Sequence, residues 1–441
     1  MNVHTRIRGC MLCIFILLLN AAGQAPKVAD QPWPPVTKVD LPGLIRQGPE
    51  RNPSIKAALI EWQATVAKLP QAVALPDPKL RLDYFVDSIE TRVGPQQYRV
   101  GLSQRIPFPG TLAQAGEVAG RDIRIRHAEY DRAVRDFIVD LTVSYNELVY
   151  LRGAAEITRQ NQGLLDHVLG VASTRYAEGA AKLNDVLKAQ SQLAQLSYDL
   201  VLLHELEQVE TARINALLDR PSATPLGELQ TPQLSRLQRS LPEIEAVALG
   251  QRQEIEIAAG QVDKAAESVR LAKLQNRPSL TLNSTHVLVG DATANVADSG
   301  KDAWMVGVGI SLPIWRRHNR SRVDEAELRH AAAVQQQRVI ENETRAALRA
   351  VYFRLENARR LIELYEKSLI PQAAQAMEVA EQWHDTEVND IAGFLETQGV
   401  WFNFNLARLR AVTDYQQYLV RLEQLAGGLV PDSAVTPEGQ P

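Results

Sequence analysis

The sequence holds only two cysteines, Cys10 and Cys13, and both lie within or beside an amino-terminal apolar run. No disulfide framework is therefore available to the rest of the chain, and a Cys-x-x-Cys redox pair in a segment that is cleaved away does no chemistry. The eight histidines (His4, His127, His167, His204, His286, His318, His330 and His384) are scattered, with no pair at metal-ligand spacing. No glycine-rich loop follows a strand to cradle phosphate, and no nucleophile is found with a base. These absences exclude the obvious enzyme classes, so neither catalytic residue, cofactor nor metal is expected. The net charge of −4 over 441 residues is too small to suggest a nucleic-acid partner. Proline is missing between Pro109 and Pro221 and again between Pro313 and Pro371, which leaves room for very long helices.

What is present begins with an export signal. Arg6 and Arg8 precede the apolar run 11–19 and the small residues Ala21, Ala22, Gly23 and Ala25, the pattern of a secretory signal peptide over 1–25 cut between Gly23 and Pro26. A membrane-spanning helix needs roughly 20 apolar residues, about twice this run. No cysteine follows it to carry a lipid.

The rest is organised around a junction, Val100-Gly-Leu-Ser-Gln-Arg-Ile-Pro-Phe-Pro-Gly110, where a period of two gives way to a helical period. Thr111 and Gln114 match a capping box at the start of that helix. A second copy, Val306-Gly-Val-Gly-Ile-Ser-Leu-Pro313, follows about two hundred residues on, and Pro78-Lys-Leu80-Arg-Leu82 is echoed by Pro278-Ser-Leu280-Thr-Leu282. The spacing indicates an internal duplication. A first repeat (26–221) comprises a helix opening at Asn52-Pro53, a β-hairpin (79–106, strands 79–87 and 96–106 around a polar turn) and a helical hairpin (111–218). A linker (222–241) leads to a second repeat (242–426) with a helix 242–274, a β-hairpin (279–312) and a helical hairpin (321–425); residues 427–441 form a flexible tail. The helix 111–178 alone makes a rod of about 100 Å, with Gly153, Gly163 and Gly170 as possible kinks. The turn 179–185 ends in Asn184 and Asp185, either of which suits a helix cap.

Each strand has one apolar face: Leu82, Tyr84, Tyr98, Val100 and Leu102 in the first hairpin, Trp304, Val306, Val308 and Ile310 in the second. Arg81, Asp83, Arg99 and Ser103 fall on the opposite face. Such a strand can cover a soluble core, but two isolated hairpins with aromatic residues on the apolar face, in an exported helical chain, favour lipid. Four strands cannot close a barrel, so a spanning sheet requires oligomerisation. In the third strand Ser284 and His286 share the face of Leu280, Leu282 and Leu288, which leaves its register open.

With these features the sequence resembles the TolC family of outer membrane efflux proteins over nearly the whole mature chain. The resemblance is carried by Asn52-Pro53, Gln104-Arg-Ile-Pro-Phe-Pro-Gly110, Arg175-Tyr-Ala-Glu-Gly179, Asp185-Val-Leu-Lys-Ala-Gln190, Leu217-Leu-Asp-Arg-Pro221, Arg277-Pro-Ser-Leu280 and Gly393-Phe-Leu-Glu-Thr-Gln398. It implies a mainly α fold with a small β part: a homotrimer whose helical hairpins form a periplasmic α-barrel beneath a twelve-stranded outer-membrane β-barrel. The function it implies is a passive, non-enzymatic exit duct served by a periplasmic adaptor and an inner-membrane pump. The hairpin tips would then hold an aperture (Asp185, Asn184, His384, Asp390, Glu396) and adaptor contacts (Tyr176, Gly179, Leu183, Val186, Leu187, Phe394, Leu395). The Ile-Pro-Phe-Pro-Gly wording is similar to the branch serving cation efflux pumps. A type I protein secretion duct and a periplasmic coiled-coil scaffold or adaptor are the alternatives.

Overall fold

The computed structural model describes residues 38–428, except 236 and 386–390. The expected signal peptide, its cleavage site and nearly all of the tail lie outside the described residues. In chain order the elements are β1 (Lys38–Val39), α1 (Leu41–Gln47), α2 (Pro53–Val66), α3 (Leu69–Val73), β2 (Lys79–Thr91), β3 (Gly94–Ile106), α4 (Thr111–Ala177) and α5 (Leu183–Leu217). There follow β4 (Glu228–Leu229), α6 (Leu241–Gln251), α7 (Gln253–Gln275), β5 (Ser279–Val289), β6 (Ala303–Ser311) and α8 (Arg316–Leu364). A π-helical turn (Tyr365–Leu369), α9 (Ile370–Asp385) and α10 (Ile391–Ala426) complete the chain. The order helix, β-hairpin, helical hairpin thus occurs twice.

The two hairpins are not isolated. They join through β3 and β5 into one antiparallel sheet, β2-β3-β5-β6, with Ile106 opposite Leu280 and Tyr98 opposite Leu288. Strands β2 and β6 are left as edges. The first hairpin is longer than its polar sequence suggests, since Thr91 still pairs with Gly94. A register shift between Tyr84 and Ile89 takes up the residues where the alternation fails. Gly94 has φ +131°, and a Cβ there would collide with the carbonyl of Gly290, so the two outer loops touch at a place open only to glycine. Backbone bonds from Gly290 to Pro95 (2.8 Å) and from Gly300 to Val93 (2.8 Å) hold the same contact.

Helix α4 runs unbroken through Gly153, Gly163 and Gly170. At Gly153 a Cβ would lie 3.0 Å from Leu409 Cδ2, so the missing side chain brings α10 close. The expected capping box does not form. Gly110, at φ +89°, occupies the cap position, and the Gln114 amide reaches away to α7, donating to Glu267 Oε2 at 2.7 Å and to the Glu267 carbonyl at 3.1 Å. A capping box does form at Ser240 and Glu243, opening α6. The helix expected over 242–274 is divided at Arg252, whose extended backbone (ψ 126°) lets its guanidinium reach Glu254 (2.9 Å) and Thr344 Oγ1 (2.6 Å). Helix α8 begins five residues before the expected 321. The π-turn stands just ahead of Pro371, whose ring and missing N–H disturb the carbonyls one turn back.

Two apolar cores hold the helices. One joins the lower halves of both helical hairpins through Leu165, Ala172, Val186, Ala189, Phe394 and Leu395; the other packs α6, α8 and α10 through Ile244, Leu348, Leu355, Tyr415 and Leu422. The buried Tyr145 hydroxyl sits 2.9 Å from the Val39 carbonyl and 2.8 Å from that of Gln230, fastening the leading segment and the linker to the middle of α4.

Candidate functional site: an exposed apolar sheet face and two hairpin tips

Alternation on a pleated strand sends successive side chains to opposite faces, and registry across the sheet decides whether the apolar ones form one surface. Here they do. Leu82 lies opposite Val100, Tyr84 opposite Tyr98, Leu282 opposite Val308 and Leu280 opposite Ile310. Leu82, Tyr84, Tyr98, Val100, Leu102, Trp304, Val306, Val308 and Ile310 are all exposed in the protomer, Trp304 at 75% and Val306 at 79%. Exposed aromatic and branched apolar residues over a whole sheet face need a cover that the described residues do not supply. The other face is polar, with an Arg81–Asp83 pair at 2.9 Å. No helix among the described residues is long and apolar enough to cross a membrane.

The doubtful third strand keeps this register. His286 lies opposite Trp304 and Ser284 opposite Val306, so both polar side chains stand on the apolar face. They are provided for there: Trp304 Nε1 donates to Ser284 Oγ at 2.9 Å, and His286 Nε2 is 3.4 Å from Asp302 Oδ2. The Asp302 carboxylate is itself fixed by the Val289 N–H at 2.9 Å.

At the first tip α4 ends in a Schellman motif, in which the Ala180 N–H donates to the Arg175 carbonyl (2.8 Å) and the Gly179 N–H to that of Tyr176 (3.0 Å), with Gly179 at φ +75°. Helix α5 then starts earlier than expected. Lys182 holds the cap position without a side-chain bond, and Asn184 and Asp185 lie inside the first turn. Neither is the cap; Asp185 still complements the helix dipole, and it is buried. Asn184 and Glu396 meet on one groove of about 750 Å³ between α5 and α10, with Leu187, Lys188 and Leu395 among its lining residues. The backbone of His384 lies in the last turn of α9, whereas Asp390 lies outside the described residues.

The expected adaptor contacts divide into two sets. Tyr176, Gly179, Leu183 and Leu187 are exposed, whereas Val186, Phe394 and Leu395 are buried in the core between the hairpins. The latter three thus hold the two tips together within the protomer. Among the described residues no group of three or more His, Cys, Asp or Glu side chains is placed to hold a metal ion.

A feature not foreseen lies between the sheet and the tips. Arg135 on α4 is buried, and its guanidinium binds Glu254 on α7 through two bonds, Gln253 Oε1 at 2.6 Å and Asp136 Oδ1 at 2.8 Å. Burial alone would push the Glu254 carboxyl up; the hydrogen bond and charge of Arg135, aided by Arg252, outweigh it and hold the group at about 2. The local sequence, Tyr-Asp-Arg-Ala-Val-Arg-Asp-Phe137, reads as an ordinary solvated helix face and hides this role.

The chain thus combines a sheet with one bare apolar face and two edge strands with two long helical hairpins. The chain belongs to the outer membrane efflux protein family, which it matches over residues 44–218 and 246–428, one segment in each repeat. It is 25% identical over 313 residues to the pyoverdine export outer membrane protein OpmQ of Pseudomonas aeruginosa, covering 65% of this chain and 62% of that one. It is 22% identical over 293 residues to nodulation protein T of Rhizobium leguminosarum bv. trifolii, covering 64% and 62%. The chain therefore spans 62% of the length of these two relatives. The outer membrane protein VceC of Vibrio cholerae shares its fold, with a TM-score of 0.73 over 88% of this chain and 96% of that one at 20% identity.

Proposed function

We propose that the chain is one protomer of a trimeric exit duct in the outer membrane, through which an inner-membrane pump and a periplasmic adaptor discharge their substrate. The observation that carries this reading is the sheet: its apolar face is bare, and its edges at β2 and β6 are unpaired. Unpaired backbone groups in hydrocarbon are expensive, so only a closed barrel can lie there. Three copies supply twelve strands, more than the roughly eight of the smallest membrane barrels. A soluble scaffold would have to leave Trp304, Val306 and Val308 in water. The tips supply the gate, where threefold repetition turns Asp185 and Glu396 into rings of carboxylates near the axis; the exposed Tyr176, Leu183 and Leu187 supply the adaptor contact.

The test is direct. Protein extracted from outer membranes by detergent should run as a heat-sensitive trimer and conduct in planar bilayers. A detergent-independent soluble monomer without conductance would overturn the reading.

A further inference from the structure

The two repeats reach the same strand-to-helix junction with different chemistry. After β3 the chain runs Pro107-Phe-Pro-Gly-Thr-Leu-Ala-Gln114 and meets no charge until Glu117; after β6 it runs Pro313-Ile-Trp-Arg-Arg-His-Asn-Arg320. The first repeat shows that the turn itself needs no arginine. Cations in the first turn of α8 also oppose the helix dipole, and that turn contains no acidic residue to offset them.

The structure sorts this cluster into two groups. Asn319 is a structural member, since its Nδ2 donates to the Pro313 carbonyl at 2.8 Å and its own carbonyl accepts from Asn276 at 2.7 Å. Arg322 is likewise held, by Asn276 Oδ1 at 3.2 Å and His318 Nε2 at 2.9 Å. Arg316, Arg317 and Arg320 are exposed, and the carboxylate paired with Arg320, that of Asp324, is 3.9 Å away with both side chains largely in solvent. Positions 316 and 320 stack one turn apart on the helix, with 317 beside them. Leu312, Ile314 and Trp315, the last 75% exposed, carry the apolar face of β6 down to the edge of this group.

We propose that Arg316, Arg317 and Arg320, with Trp315, bind the headgroups of anionic phospholipid at the periplasmic rim of the barrel. The inference rests on the outer-membrane reading of the sheet. Guanidinium groups pair with phosphate through parallel N–H bonds, and tryptophan settles where acyl chains meet headgroups. An anionic headgroup also supplies the negative charge that the first turn of α8 lacks. Because the first repeat has no counterpart, such a rim has one site per protomer, below the second hairpin alone.

The test uses the full chain reconstituted in vesicles of phosphatidylcholine with or without phosphatidylglycerol. Bound lipid is counted by native mass spectrometry, and Trp315 fluorescence, isolated by subtracting a Trp315→Phe variant, is quenched with brominated forms of each lipid. Phosphatidylglycerol should be retained preferentially and quench Trp315 more strongly. Its affinity should fall about fivefold for each of Arg316→Gln, Arg317→Gln and Arg320→Gln, with phosphatidylcholine unaffected. In the unaltered protein the preference should weaken as salt is raised, a readout independent of any variant. Insertion with no preference between the two lipids would overturn the inference and leave the membrane reading standing, as would displacement of phosphatidylglycerol by inorganic phosphate alone. Failure to insert into either vesicle would overturn both.

Discussion

Arg135 and Glu254 face each other across α4 and α7 through two N–H···O bonds of 2.7 and 2.9 Å, with the arginine buried and the carboxylate three-quarters so. The Glu254 carboxyl, held at about 2, is depressed in the folded chain relative to an ordinary value of 4.5. Its contribution to stability is therefore fully present above about pH 4.5 and is lost as the pH falls from there towards 2. The full shift corresponds to about 3 kcal/mol. Denaturant midpoints should drop between pH 5 and pH 2.5, and Glu254→Gln should lower the neutral-pH midpoint and flatten that dependence. An unchanged acid limb in the variant would dissociate the pair from stability.

Val100 sits midway along β3, opposite Leu82 on one side and His286 on the other. Val100→Arg should destabilise the assembled barrel by about 2–4 kcal/mol if the residue lies near mid-bilayer, while Ser103→Arg on the polar face should be nearly silent. Heat-resistance of the oligomer on gels measures the difference. Cysteines at the two positions should differ in the same sense, with a water-soluble reagent modifying 103 and sparing 100.

Asp185 and Glu396 should set the ionic character of the periplasmic opening. Rings of carboxylates favour cations and attract multivalent ones. Replacing both with alanine should weaken cation selectivity and block by divalent ions in planar bilayers. Because Asp185 lies within the first turn of α5, its loss alone should also cost that helix about 0.3–1 kcal/mol. Unaltered selectivity in the double variant would remove these residues from the gate.

Gly94→Ala should open the contact between the outer loops. Both the positive φ and the carbonyl of Gly290 stand against a Cβ, so a penalty of about 1–3 kcal/mol is expected. Limited proteolysis should then cut more readily within the loop following β5.

Much of this architecture is legible in the sequence because it rests on periodicity. The alternation of Leu80, Leu82 and Tyr84 and of Trp304 to Ile310 marks strands with one dry face, and the long proline-free stretches permit α4 and α8. What escapes such reading is decided by distant partners. Gln114 looks like half of a capping box, but Glu267, brought alongside by α7, takes its amide instead. At Arg252 a helix is divided without a proline, and the guanidinium there binds Glu254 and the distant Thr344. At the tips Val186, Phe394 and Leu395 are apolar enough for either a partner or a core, and only the meeting of the two hairpins turns them inward. The union of β3 with β5, which makes one sheet of two hairpins, likewise pairs residues far apart in the chain.

The bare edges of β2 and β6 bear on heredity as well as on architecture. In the proposed assembly the sheet is completed by copies of the same chain, so each faulty copy that still pairs is built in beside sound ones. In a cell making equal amounts of normal and tip-damaged chains, random assembly of the proposed trimer leaves about one complex in eight wholly normal. A damaged tip allele should therefore act dominantly over the intact gene, whereas an allele that destroys the strand edges should be recessive.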